Sequence, residues 1–199
     1  MSMKTLCTSA IVLAAAASAN ANFATNGGFE AGDTSGWEYF PTATSTFNVT
    51  GDSNSGAFAA EIFNDAPASA AVVKQANVGI GSVSPGDTIN ISFAAKGSFA
   101  AGGVSFAEFF SEVDGGGVSS SEILGGAPLA LTSDWQTFNF TTTAGPDVSG
   151  GITLQLTATT GAAPGSVAVV FIDDIVITPT PGTAGMFGLA GLAAMRRRR

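Results

Sequence analysis

The chain contains no histidine and a single cysteine, Cys7. Without histidine, the usual nucleophile–base pairs of hydrolases lack their base. One cysteine forms no internal disulfide. Positive charge is almost as scarce: of seven basic residues in 199, Lys4 and Arg196 to Arg199 lie at the two ends. Between them, only Lys74 and Lys96 stand against fifteen acidic residues running from Glu30 to Asp174, a net −13. Such a surface repels phosphate backbones, which argues against nucleic acid as a partner. It suits divalent cations and salt, and serves solubility equally well.

What is present is apolar and regularly spaced. Hydrophobic residues make up 45% of the chain, enough for a core in one domain. Residues 88–96 (TINISFAAK) put Ile89, Ile91 and Phe93 on one face and Asn90 and Ser92 on the other. Residues 136–142 place Phe138 and Phe140 together, and Ile152, Leu154 and Leu156 alternate with Thr153, Gln155 and Thr157. A period of two predicts half-buried strands. Residues 57–63, 71–78, 104–113 and 167–177 are further strands on this reading, and no helical period occurs in the body. Turn sequences such as Ser84-Pro85-Gly86-Asp87 and Asp114-Gly115-Gly116-Gly117 separate them. Short strands with turns every ten or so residues predict a β-sandwich. The strand at 167–177 is apolar on both faces apart from Asp173 and Asp174, which predicts an internal strand covered on both sides.

The two ends differ from the body. At the N-terminus, Lys4, an apolar run over residues 6–17 and Ala19-Asn20-Ala21 match the three parts of a secretory signal peptide, residues 1–21. Removing it removes Cys7. The C-terminus, residues 179–199, has Pro179-Thr180-Pro181, an apolar run from Thr183 to Met195, and Arg196, Arg197, Arg198 and Arg199. Thirteen residues of helix reach about 20 Å, short of the roughly 30 Å of a bilayer core, which suits a transient anchor with the arginines held inside. This order of parts resembles the PEP-CTERM sorting signals of Gram-negative bacteria, with Thr180 where that motif has Glu. The resemblance implies export, transient membrane contact through the tail, and partners in the export machinery and an exosortase-type sorting protease. The expected destination is the cell surface or extracellular matrix.

The body, residues 22–178, carries its chemistry at its ends. Thr25-Asn26-Gly27-Gly28-Phe29-Glu30 opens it, followed by Gly36-Trp37, and Phe171-Ile172-Asp173-Asp174-Ile175 closes it. Alternation puts Asp173 on one face with Val169, Phe171 and Ile175. A carboxylate on an apolar face must be paired, ligated or protonated. With so few lysines, a hard oxygen-binding cation such as Ca2+ is the economical partner. The series NGGFE, GW, SPGDT, WQTFNFTTTAG and FIDDI resembles, in order, carbohydrate-binding modules of the family 4, 9 and 22 type. The resemblance implies an all-β jelly-roll sandwich of the galactose-binding-like kind, flanked here by an N-terminal signal helix and a short C-terminal apolar helix. It also implies a structural calcium held by Gly28, Glu30 and Asp173. Oxygens from the loop Asn54-Ser55-Gly56-Ala57 would complete the set, Asn54 and Ala57 foremost.

The cleft aromatics of that family would fall near residues 65–71 and 117–122, where this chain has alanines and serines. Phe109 and Phe110, with Glu108, Glu112 and Phe106, form the remaining aromatic and acidic strip and the candidate ligand surface. Two-sided core packing is the alternative for these phenylalanines. Trp37 and Trp135 read as packing residues. The expected function is non-catalytic binding of extracellular polysaccharide. A structural envelope or biofilm matrix protein without a glycan ligand is one alternative, and a glycoside-active enzyme with paired carboxylates a remote one.

Overall fold

A computed structural model describes residues 22–180. The expected signal peptide, the two expected flanking helices, and the sorting residues Pro181 and Arg196 to Arg199 lie outside the described residues. In chain order the strands are β1 (Glu38–Phe40), β2 (Ser45–Thr50), β3 (Ala59–Asn64), β4 (Ala70–Val78) and β5 (Thr88–Ala100). They continue as β6 (Val104–Glu112), β7 (Val118–Ile123), β8 (Gln136–Thr143), β9 (Gly151–Thr159) and β10 (Val167–Thr180). A single 3-10 turn, Leu124–Gly126, follows β7. Two five-stranded sheets form, in the orders β1-β4-β9-β6-β7 and β2-β3-β10-β5-β8. Their pairings are antiparallel. The chain passes back and forth between the sheets from β3 to β6 and again from β7 to β10, the wiring of a jelly roll.

The core is where the two apolar alternations meet. Ile89, Ile91 and Phe93 of β5, Ile62 of β3 and Val170 and Ile172 of β10 face Val73 of β4, Leu154 and Leu156 of β9 and Phe109 of β6. Phe93 stacks on Phe138 with centroids 5.5 Å apart. Each fully buried side chain of this size contributes about 1.5–3 kcal/mol from burial.

All the expected strands form. Three others do not stand out from the sequence, or stand out weakly. β1 has three residues, too few to show a period. β7 (VSSSEI) has serines where an apolar set would be. β2 (STFNVT) does alternate, and Phe47 and Val49 were a usable signal. β10 departs from expectation in three ways. It is central in its sheet, between β3 and β5, yet Val167, Val169 and Phe171 on its outer face are only half-buried. It also runs past the expected strand end at residue 177, through Pro179 and Thr180, which pair with Ile89 and Thr88. Finally, its register slips between Asp173 and Val176, with Asp174 at φ +51°. That bulge inserts one extra residue. Ile175 therefore turns into the core, and Asp173 does not share its face.

Replacing Phe93 by alanine should cost about 3–5 kcal/mol, whereas Phe40→Ala, at a side chain 47% exposed, should cost less than about 1 kcal/mol. Urea denaturation of both variants measures the contrast.

Candidate functional site

The N-terminal segment reaches the site by running antiparallel to the end of β10. Phe23 N–H donates to Ile177 O at 2.8 Å and Ile175 N–H donates to Gly27 O at 2.9 Å. Gly27 permits that approach, because a Cβ there would lie 2.3 Å from Ile175 O. Phe29 then enters the core and stacks on Trp37 at 5.7 Å. Glu30 is left at the surface, facing residues 51–58, the loop between β2 and β3.

That loop closes over two carboxylates. Asp173 Oδ2 accepts hydrogen bonds from Asn54 N–H at 2.9 Å and Ser55 N–H at 3.1 Å. Asp173 Oδ1 accepts from Asp174 N–H at 2.7 Å. Glu30 accepts from Ala57 N–H and Phe58 N–H, both at 2.9 Å. Asp174 takes the side chains of Asn54 and Ser55, at 2.8 and 2.6 Å. Gly56, at φ +64°, leaves no room for a side chain: a Cβ would lie 2.3 Å from Glu30 Oε1. A Cβ on Gly28 would lie 3.6 Å from Asp173 Oδ1 and 3.7 Å from Glu30 Cγ.

Gly28, Glu30, Asn54, Ala57 and Asp173, far apart in sequence, thus meet at one corner. The arrangement differs from the expected ligand set in what the loop offers. Asn54 and Ala57 present N–H groups to the carboxylates, where oxygens were expected. Ser55 and Asp174 take part as well, and the DD pair of the FIDDI sequence was the signal for the latter. Among the described residues, no group of three or more His, Cys, Asp or Glu side chains is set to hold a metal ion. The carboxylates of Glu30, Asp173 and Asp174 share the corner, and neither ion pair among the described residues, Lys74–Glu38 or Lys96–Asp52, involves them. Asp52 belongs to the same loop, and Lys96 holds it at 2.6 Å from between the rings of Phe171 and Trp135.

The second site is the outer face of the first sheet. Along β6, Phe106, Glu108, Phe110 and Glu112 point outward, while Ala107 and Phe109 point into the core. Phe109 is 2% exposed and cannot touch a ligand, which corrects its place in the candidate strip. The broken alternation arises because Phe109 and Phe110 are adjacent and must take opposite faces. Register aligns the outward residues in rows: Phe40, Val72, Thr157 and Phe106 in one, Glu38, Lys74, Gln155, Glu108 and Ile123 in the next. Gln155 Nε2 donates to Glu108 Oε2 at 2.5 Å. Lys74 Nζ sits 3.8 Å from Glu38 and 4.9 Å from the Phe40 ring centroid. A cleft of about 360 Å³ at one end of this face is lined by Lys74, Asn77, Ile80, Glu112 and Asp114 among others.

No family model matches the chain and no curated protein is similar to it in sequence. Solved structures do match. The CBM22-1 xylan-binding domain of Paenibacillus barcinonensis Xyn10C superposes with a TM-score of 0.55 at 14% identity, over 78% of this chain and 92% of that domain. The fold is that of carbohydrate-binding modules. A family 61 module solved with β-1,4-galactotriose gives a TM-score of 0.50 at 18% identity, covering 80% and 99%. The enzymatically active domain of bacteriophage CBA120 tailspike protein 4 gives 0.63 at 14% identity, covering 80% of this chain. The chain spans only 21% of that tailspike structure.

Burial raises the pKa of Asp173 above the ordinary aspartate value; the N–H groups of Ser55, Asp174 and Asn54 pull it partly back, and the charge of Asp174 adds to the rise. An acid whose folded pKa is raised gains a proton on folding in the window between its two values. Its contribution to stability is therefore greatest below the unfolded pKa and is lost as pH rises through the folded one. In the presence of chelator, the stability of the parent relative to Asp173→Asn should increase as pH falls from neutral through that window. Urea midpoints across a pH series measure it.

Proposed function

We propose that this chain is a secreted, non-catalytic cell-surface or matrix protein that binds polysaccharide on the outer face of its first sheet. The observation that carries the reading is the set of outward rings on that face: Phe40, Phe106 and Phe110, interleaved with Gln155, Glu108 and Lys74. Sugar recognition needs flat apolar surfaces for C–H faces and nearby amides or charges for hydroxyls. An Ala/Ser/Thr-smooth face, the mark of a purely structural matrix protein, would lack the rings. Kinship of fold with carbohydrate-binding modules supports the reading at the level of architecture.

Two further parts belong to the proposal. Export and surface sorting follow from the signal-peptide pattern and the PEP-CTERM-like tail. Structural calcium would be held at the corner by the carboxylates of Glu30 and Asp173 with Gly28. It would supply there the positive charge that the lysine-poor body lacks. Asn54, Ser55 and Ala57 would keep the loop closed around it.

Affinity electrophoresis of the protein through a panel of polysaccharides tests binding. Retardation in one gel, lost in Phe106→Ala/Phe110→Ala, supports the reading, and uniform migration of folded protein in every gel overturns it in favour of the matrix role. Calcium at about a hundredfold over its dissociation constant adds roughly 2.7 kcal/mol, a Tm rise on the order of 5–10 °C for a domain of this size. A melting temperature unmoved by calcium or chelator removes the ion from the account.

A further inference from the structure

The outer face of the first sheet also carries information about the charge of its ligand. Phe106, Glu108, Phe110 and Glu112 alternate ring and carboxylate along one strand. Alternate residues stand about 6.7 Å apart. On the β1 side of the same face, this pairing of ring and carboxylate already holds an ammonium group: Lys74 Nζ lies 3.8 Å from Glu38 and 4.9 Å from the Phe40 centroid. Ring faces and carboxylates together are the chemistry that recognises ammonium.

On the β6 side the rings and carboxylates repeat, and neither ion pair among the described residues reaches them. Between Asn22 and Thr180 the basic residues are Lys74 and Lys96. Lys96 is committed on the other sheet, to Asp52, Trp135 and Phe171. Glu108 is partnered by the neutral Gln155 amide at 2.5 Å. Glu112 and Asp114 line the 360 Å³ cleft at the end of the strand, two acids against the single ammonium of Lys74 in the same lining. A polyuronate or sulfated glycan would meet net negative charge there.

Resting on the reading of this face as the glycan surface, we infer that its ligand is an ammonium-bearing polysaccharide, a polymer with free amino sugars. The pyranose C–H faces stack on Phe106 and Phe110, and the amines pair with Glu108 and Glu112. N-acetylation removes the charge and with it the pairing.

The test uses the full chain and beads bearing three probes: a β-linked glucosamine polymer, the same polymer fully N-acetylated, and a polyuronate. Expected is retention on the free-amine polymer at least tenfold stronger than on the acetylated one, weakening with salt, while any retention on the polyuronate through Arg196 to Arg199 is unchanged in Phe106→Ala/Phe110→Ala. Glu108→Gln/Glu112→Gln should lose at least tenfold on the free-amine beads. Glu61→Gln/Asp65→Asn, an equal change of charge away from this face, should lose less than twofold. Equal retention on free-amine and acetylated beads, lost in Phe106→Ala/Phe110→Ala, overturns the inference and leaves glycan binding standing. Equal losses in the two charge variants overturn it as non-specific attraction to an acidic body. Retention on none of the three probes by folded protein, while another polysaccharide retards it, overturns the inference alone. Failure with every polysaccharide overturns both.

Discussion

A carboxylate with no exposed surface sits in the central strand of the second sheet, and the organisation of that end of the sandwich follows from it. Asp173 cannot stay charged there without donors. The bulge at Asp174 turns one backbone N–H back onto it, and residues 54 and 55 supply two more. Those bonds fix the path of the loop between β2 and β3. The loop in turn gives Glu30 its donors, and Glu30 fixes the segment whose Phe29 fills the core beside Trp37. A single buried charge thus links the first residues of the body, a mid-chain loop and the last strand, without a disulfide.

The two sheets divide the remaining work. The outer face of the second sheet carries the Lys96 cluster: Lys96 lies between Trp135 and Phe171 and reaches Asp52. On the first sheet the rings and carboxylates of β6 point outward, with cross-strand rows that run from β1 to β7. The corner and the outward face lie on different sheets.

The sandwich was legible because its core strands obey a period of two: β5, β8 and β9 show their buried faces in the sequence. The corner was legible as a set of residues, since glycines and acids gather at both ends of a body that has only two lysines to pair with them. Its geometry was not. A bulge moves Ile175 to the other face through one backbone torsion at Asp174, and alternation has no term for an inserted residue. Whether a loop offers carbonyls or N–H groups is likewise a matter of torsion angles, so Asn54 and Ala57 come to the corner with N–H groups toward the carboxylates. Phe109 and Phe110 illustrate a third limit: adjacent rings on a strand announce that one is outward without saying which. The rows that align Phe40 with Phe106 and Lys74 with Glu108 depend on strand order, and strand order is set by tertiary packing.

The pairing of the N-terminal segment with β10 has a mechanical consequence. Phe23 bonds to Ile177 and Gly27 to Ile175, so Asn22 and Thr180 emerge at the same end of an antiparallel pair. Tension applied between those two ends would load the bonds one after another from that end, like a zipper, rather than all at once. The first to open would be the Phe23 bond, and the last bonds reached would be those that lead to the corner. A force entering through β10 and leaving through the face of the first sheet would bypass that seam and act across the sandwich core. The same molecule would therefore yield easily to one direction of pull and resist the other.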